Sequence, residues 1–158
     1  MKTTILHNMA VFINGNYKIG AGDVSLPNFK QKTITKHFPG TQGEIKIPLG
    51  IKEAIDVTVN SSDIYLDVLK AMGCCDCPTR VEFRTIFKDA INCDRDIHVI
   101  AYEGIWEEAD LGNLQVGEEG SRKYVLNVRK YTHSVNGEVI IDYDALAPAE
   151  EDRAALGL

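Results

Sequence analysis

The stretch IKEAIDVTVN (Ile51 to Asn60) changes face at every step, with Ile55, Val57 and Val59 on one side and Ala54, Asp56 and Thr58 on the other. Successive side chains of a strand point to opposite faces, so this is the pattern of a strand with one buried and one polar face. The period then changes. In SSDIYLDVLKAMG (Ser61 to Gly73), Tyr65, Val68, Leu69 and Met72 recur at helical spacing. Ser61 or Ser62 is available as a cap, Asp63 falls in the first turn, and Gly73 is placed as a stop. The order predicts a sheet with a short helix packed beside it.

Strand signals dominate on both sides of this unit. MAVFINGNYKIG (Met9 to Gly20) and RKYVLNVRKYTHSVNGEVIIDYD (Arg122 to Asp144) each place two β-prone runs about an Asn-Gly pair, Asn14-Gly15 and Asn136-Gly137. That dipeptide tolerates the positive φ of a type I′ turn, so both read as hairpins. DVSLPNFKQKTITKHF (Asp23 to Phe38) bends at Pro27 before a strand over about Lys30 to Lys36. RVEFRTIFKD and IHVIAYEG alternate around the polar turn AINCDRD, with Val81, Phe83 and Phe87 inward and Cys93 at the tip.

Two segments read as projecting loops. HFPGTQGEIKIPLG (37–50) is punctuated by Pro39, Pro48, Gly40, Gly43 and Gly50, and GIWEEADLGNLQVGEEGS (104–121) mixes glycines and acids around Trp106. In the tail, Pro148 is placed as a first-turn proline, with Glu150, Glu151 and Asp152 after it and Gly157 as a stop. A helix this short holds only if it docks. The expected fold is mainly β with one short α-helix: about seven or eight strands in an antiparallel β-sandwich or barrel. A chain of 158 residues is expected to form one domain over 1–158, with a C-terminal tail over 145–158.

Four cysteines raise a separate question, because Cys74, Cys75 and Cys77 crowd one loop and C-x2-C-x15-C-x4-H, ending at Cys93 and His98, imitates a zinc pattern. A strand of about ten residues separates Cys77 from Cys93 by roughly 30 Å, so one tetrahedral site cannot use both. The pair Cys74/Cys77 follows a helix C-terminus, where the dipole disfavours a thiolate. The thiols are expected to be free and incidental, with a small metal or thiol-redox protein using Cys74 and Cys77 as the outside alternative. His7, His37, His98 and His133 are scattered over different elements without a nucleophile motif, and Glu107-Glu108 and Glu118-Glu119 read as solvated charge. No phosphate-binding glycine motif occurs, and neither catalysis, a cofactor nor a metal is expected.

Composition bounds the partners. With 44% hydrophobic and 25% charged residues the chain has the makeup of a soluble globular protein, and its N-terminus shows neither a secretion signal nor a membrane anchor. A net charge of -6 argues against gripping nucleic acid by its phosphates, yet suits a wall along which a polyanion slides.

Several segments, in order, resemble the major tail tube proteins of contractile-tailed bacteriophages and the related R-type bacteriocins: DVSLP (Asp23 to Pro27), IKIPLGIKEAIDVTV (Ile45 to Val59), LDVLKAMG (Leu66 to Gly73), YVLNVRKYTHSVNGEVIIDYD (Tyr124 to Asp144) and the terminal RAALGL (Arg153 to Leu158). The Cys74-Cys75-Asp76-Cys77 loop departs from the family pattern. The resemblance implies a structural protein of the virion tail, assembled in the host bacterial cytoplasm. Its subunits would form hexameric rings that stack into a rigid tube inside a contractile sheath and provide a channel for DNA. Implied partners are further copies of the chain, the sheath protein, baseplate and tail-terminator proteins, and the tape-measure protein and DNA passing through the lumen. The tube protein of a type VI secretion or DNA-free injection device is the alternative. On this reading Phe38, Pro39, Gly40, Thr41, Gln42, Gly43, Glu44, Ile45 and Lys46 are expected to stack rings. Asp56 and Thr58 are expected to face the lumen, and Arg153, Leu156 and Leu158 to dock the C-terminal tail.

Overall fold

The computed structural model describes residues 4–18, 21–74, 76–148 and 150–158. Cys75, Ile19-Gly20 at the end of the first hairpin, and Ala149 in the tail lie outside the described residues. The elements run β1 (Thr4–Ile13), β2 (Asn16–Lys18), β3 (Ala21–Ser25), β4 (Gln31–His37), β5 (Glu44–Lys52), β6 (Ile55–Ser61), α1 (Leu66–Ala71), β7 (Thr79–Asp89), β8 (Arg95–Asp110), β9 (Arg122–Val135), β10 (Glu138–Asp144) and α2 (Glu150–Leu156). The main sheet is antiparallel and curled, in the order β2-β1-β7-β8-β9-β6-β3. Strand β9 is its spine: β8 takes one edge, and the other is shared by β6 along residues 122–128 and β10 along 130–135. Strands β4 and β5 form a separate two-stranded ribbon, tied at its base by Glu53 N–H donating to Lys30 O at 2.8 Å.

The expected alternation is realised in β6, where Ile55, Val57 and Val59 are buried and Asp56 is exposed. They join Val11, Ile13, Val81, Phe83, Ile100, Tyr102, Trp106, Tyr124, Leu126, Val128 and Tyr131 on one face of the sheet. Helix α1 covers that face with Val68, while Tyr65 at its cap stacks on Tyr124 at 5.0 Å. The Tyr124 hydroxyl accepts from Tyr65 N–H and donates to Asp63 O, both at 3.0 Å, so one phenol fixes where the helix begins. Each fully buried aliphatic or aromatic side chain contributes about 1.5–3 kcal/mol, which makes this face the main source of stability.

Curvature has a local cause. In the β8–β9 ladder the register slips between Glu103 and Gly104 and again between Trp106 and Glu108, leaving Arg129 and Glu107 as extra residues. Bulges increase twist and bend the bulged strand.

Four expectations need correction. The segment 37–50 is not one loop, because Glu44–Lys52 is strand β5 and only the tip between β4 and β5 turns. Pro48 is tolerated opposite Thr33 because a ribbon strand has only one partner, so half of its N–H positions need none. In 104–121 the first seven residues extend β8 and bury Trp106, since the Glu107 bulge breaks the alternation that would have marked a strand. Helix α1 is shorter than expected and its cap is Tyr65: Ser61 still belongs to β6, and its Oγ accepts from Asp63 N–H at 3.0 Å. The tail helix forms as α2 but starts at Glu150, so Pro148 precedes it instead of occupying its first turn. Asn14-Gly15 and Asn136-Gly137 turn as expected, with φ of 50° and 80°, then 51° and 87°.

Candidate functional site

The core occupies one face of the main sheet; the other face is exposed at Asp56, Arg80, Arg84 and Glu107, while Ala101 and Val125 on it are buried and the tail lies beside Ala101. Asp56 is exposed on it and Thr58 half-buried, opposite Asn127 and Val125 of β9. Asn127 Nδ2 donates to Asp56 Oδ1 at 3.2 Å. The bulge at Glu107 brings a second carboxyl against Asp56, whose charge and hydrogen bond raise the Glu107 pKa above its ordinary 4.5. Further along the same face, Glu82 receives Arg84 at 2.6 Å and Arg80 at 3.7 Å, and the Arg84 guanidinium lies 4.2 Å over the Phe12 ring. The open face is therefore acidic around β6 and the end of β8, and mixed in charge around β7.

The β4–β5 ribbon is the second surface. All of β4 is exposed, and in β5 only Ile47, opposite Ile34, is half-buried. Of the nine residues expected to stack rings, Phe38 to Gly43 form the tip and Glu44, Ile45 and Lys46 begin β5. The tip has a defined shape: Thr41 Oγ1 donates to Phe38 O at 2.6 Å, His37 Nε2 meets Thr41 O at 3.0 Å, and Lys36 lies 5.1 Å over the Phe38 ring. Ile34, Phe38, Ile45, Leu49 and Ile51 of this ribbon are all exposed. Ile34 and Ile51 were outside the stretch 37–50 expected to stack rings, although alternation through KQKTITKH would have marked Ile34.

The tail gathers less than expected. Arg153 reaches a groove with Arg80, Glu103, Lys130, Asp142 and Asp144, while Leu156 and Leu158 are exposed. Loop 111–121 carries Leu114 and Val116 in the open, which the sequence reading did not single out.

The cysteines differ from expectation in one respect: Cys74 and Cys77 are joined by a disulfide, with Cα atoms 5.4 Å apart. Their spacing across the Cys74–Cys77 turn brings the thiols together, which pattern reading had treated as free. Cys93 is a free thiol, exposed at the opposite end of the β7–β8 hairpin. Among the described residues no group of three or more His, Cys, Asp or Glu is placed to hold a metal, and no helix is long and apolar enough to cross a membrane. The histidines are not all scattered. His98 Nδ1 and His133 Nε2 lie 2.9 Å apart on neighbouring strands, with Tyr131 Oη 3.3 Å from His133 Nδ1.

Comparison with known proteins gives these surfaces a context. The model of the family described as phage tail tube protein FII matches residues 3–151. No curated protein matches the sequence. Among solved structures, the chain is similar to the sheath/tube terminator of an extracellular contractile injection system, PVC, in its extended state, at a TM-score of 0.59 and 10% identity. The likeness covers 81% of this chain and 94% of that one, and at this identity it speaks to the fold.

Proposed function

Since the chain belongs to the phage tail tube protein FII family and so has a structural role in a tail tube, we propose that its copies close into hexameric rings stacked inside a contractile sheath. The open sheet face bearing Asp56 and Thr58 lines the channel through which DNA leaves, and the chain works as a single tail-tube unit without catalysis. The observation that carries this reading is the asymmetry of the sheet: one face is sealed by its core and α1, and the other presents exposed charged side chains, Asp56, Arg80, Arg84 and Glu107, on three of its strands. Strands β2 and β3, at the two ends of the sheet order, have unpaired outer edges among the described residues, and ring closure pairs edges that would otherwise invite aggregation. The β4–β5 ribbon extends from this body and stacks rings through Phe38 and Ile45. Sheath protein surrounds the tube, and baseplate and terminator proteins close its ends. The tape-measure protein and DNA occupy the lumen in turn.

Electron microscopy of the purified protein tests the reading directly, with rings or tubes expected. Because both side chains are exposed in the subunit, Phe38→Ser combined with Ile45→Ser should leave folded subunits or single rings that do not polymerise. Long tubes from the double variant would remove the ribbon from the stacking contact, and a dispersed monomer from the unmodified protein would remove the tube itself.

A further inference from the structure

At the base of the β4–β5 ribbon lies an apolar cleft of about 260 Å³, lined by Phe29, Lys30, Lys52, Tyr131, Ile141 and Tyr143 among others. Its wall is aromatic: the Phe29 ring lies 5.3 Å from Tyr131, and Lys52 Nζ lies 4.5 Å over Tyr143. Phe29 remains 51% exposed and Ile141 39%, so the cleft has room for aliphatic side chains that the subunit itself does not supply.

Among the exposed segments that carry apolar side chains are the ribbon tip, loop 111–121 and helix α2. The ribbon tip brings Lys36 and Lys46 with Phe38 and Ile45, and would set like charge against Lys30 and Lys52, offset in part by Glu44. Loop 111–121 is held by its own hydrogen bonds, Gly112 N–H to Asp110 Oδ1 at 3.0 Å and Glu118 N–H to Gln115 O at 3.2 Å. Helix α2 differs from the ribbon tip in charge. Its sequence opens with Glu150, Glu151 and Asp152, opposite in sign to the two lysines, although Glu53 on the cleft rim offsets part of that match. It is also a seven-residue helix whose Leu156 is 63% exposed and whose neighbour Leu158 is 72% exposed, so it lacks the packing a helix of this length needs.

In the folded subunit α2 does not enter the cleft: Arg153 lies in the adjoining groove with Asp142 and Asp144, and neither Leu156 nor Leu158 lines the cleft. We propose that the cleft receives α2 of a second copy of the chain, with Leu156 and Leu158 as the inserted side chains and Lys30 and Lys52 meeting the acidic first turn. This rests on the tube reading above and names a contact within it.

The test replaces Cys74, Cys75, Cys77 and Cys93 with Ser, then prepares Ile141→Cys and Leu156→Cys as separate proteins. Mixed, assembled and mildly oxidised, they should give a covalent dimer that neither forms alone. Both positions are exposed, and Phe29→Cys replaces Ile141→Cys if the latter misfolds. Tubes visible by microscopy without the dimer overturn the docking and leave the tube reading standing. Failure of the unmodified protein to assemble overturns both. A dimer formed by Val116→Cys in place of Leu156→Cys gives the cleft to loop 111–121 and also overturns the proposal. As a second measurement, Leu156→Ser with Leu158→Ser in the otherwise native chain should lose long tubes while keeping the subunit's circular dichroism. Normal tubes from that variant contradict the proposal.

Discussion

Gly104 faces the backbone of Asn127 so closely that an added methyl group would overlap the Asn127 carbonyl oxygen and lie 2.9 Å from its carbonyl carbon. The site lies between the two bulges of the β8–β9 ladder, where the strands are drawn together as the sheet bends. The obstacle is backbone on the sheet's central strand, so it cannot rotate away as a flexible side chain would. Gly104→Ala is expected to lower unfolding free energy by about 3 kcal/mol, within the range for overpacking. Chemical denaturation of the subunit measures it, and an unchanged midpoint would mean that the ladder accommodates the methyl group by a small shift.

The His98–His133 pair makes stability depend on pH. Burial lowers the His133 pKa from 6.5, and the neighbouring His98 lowers it further. Phe87, 4.8 Å from the His98 ring, and the Tyr131 hydroxyl also lie against the pair, and neither offers a negative charge at neutral pH. With the folded value below the unfolded one, the unfolded chain binds more protons between the two values. The contribution is therefore intact above about pH 6.5 and is lost as the pH falls toward the folded value. Thermal unfolding should show a lower midpoint at pH 5 than at pH 7, and His133→Gln should reduce the difference relative to the unmodified protein. Equal pH slopes in both proteins would free the pair of this role.

Asp56 acts on Glu107 with the opposite sign. Its nearby charge is the first cause of the raised Glu107 pKa, followed by a side-chain hydrogen bond between them. An acid whose folded value is raised loses stability as the pH climbs through that range, so at neutral pH the pair works against folding. Asp56→Asn should return Glu107 toward 4.5 in a carboxyl titration by NMR and stabilise the subunit at pH 7. In whole particles Asp56→Lys should assemble yet slow DNA exit, most at low salt where screening is weak. Unaltered exit from assembled Asp56→Lys particles would take Asp56 off the channel wall.

The Cys74–Cys77 bridge closes a very short loop, with a sequence separation of 3. In the chain-entropy account a small loop removes little freedom from the unfolded chain. Replacing Cys74, Cys75, Cys77 and Cys93 together with Ser should therefore leave tubes of normal appearance and change the melting temperature only slightly. Loss of folding on replacement would make the loop a structural requirement.

Much of this architecture was legible where a local rule and the tertiary environment agree. Ile55, Val57 and Val59 alternate because one face of β6 meets the core, and Asn14-Gly15 and Asn136-Gly137 adopt the positive φ their type permits. The rest depended on context that a linear pattern does not carry. Pro48 reads as a loop residue unless the strand is known to have a single partner, and Trp106 reads as part of an acidic loop unless the Glu107 bulge is known to reset the phase. Of the site, Asp56 and Thr58 could be assigned to the face away from the core from alternation alone. The pairing of Asp56 with Glu107, and of His98 with His133, required the register between strands distant in sequence.

The forked edge of β9 has a consequence for how the subunit breathes. Backbone amides along β9 are flanked by β8 on one side and by β6 or β10 on the other, so exposing them to solvent exchange requires most of the main sheet to separate. The β4–β5 ribbon pairs only with itself and opens at low cost. Deuterium should therefore enter the ribbon first and β9 last. The part of the chain free to adjust its shape to a neighbour is then set apart from the part that keeps the main sheet in register.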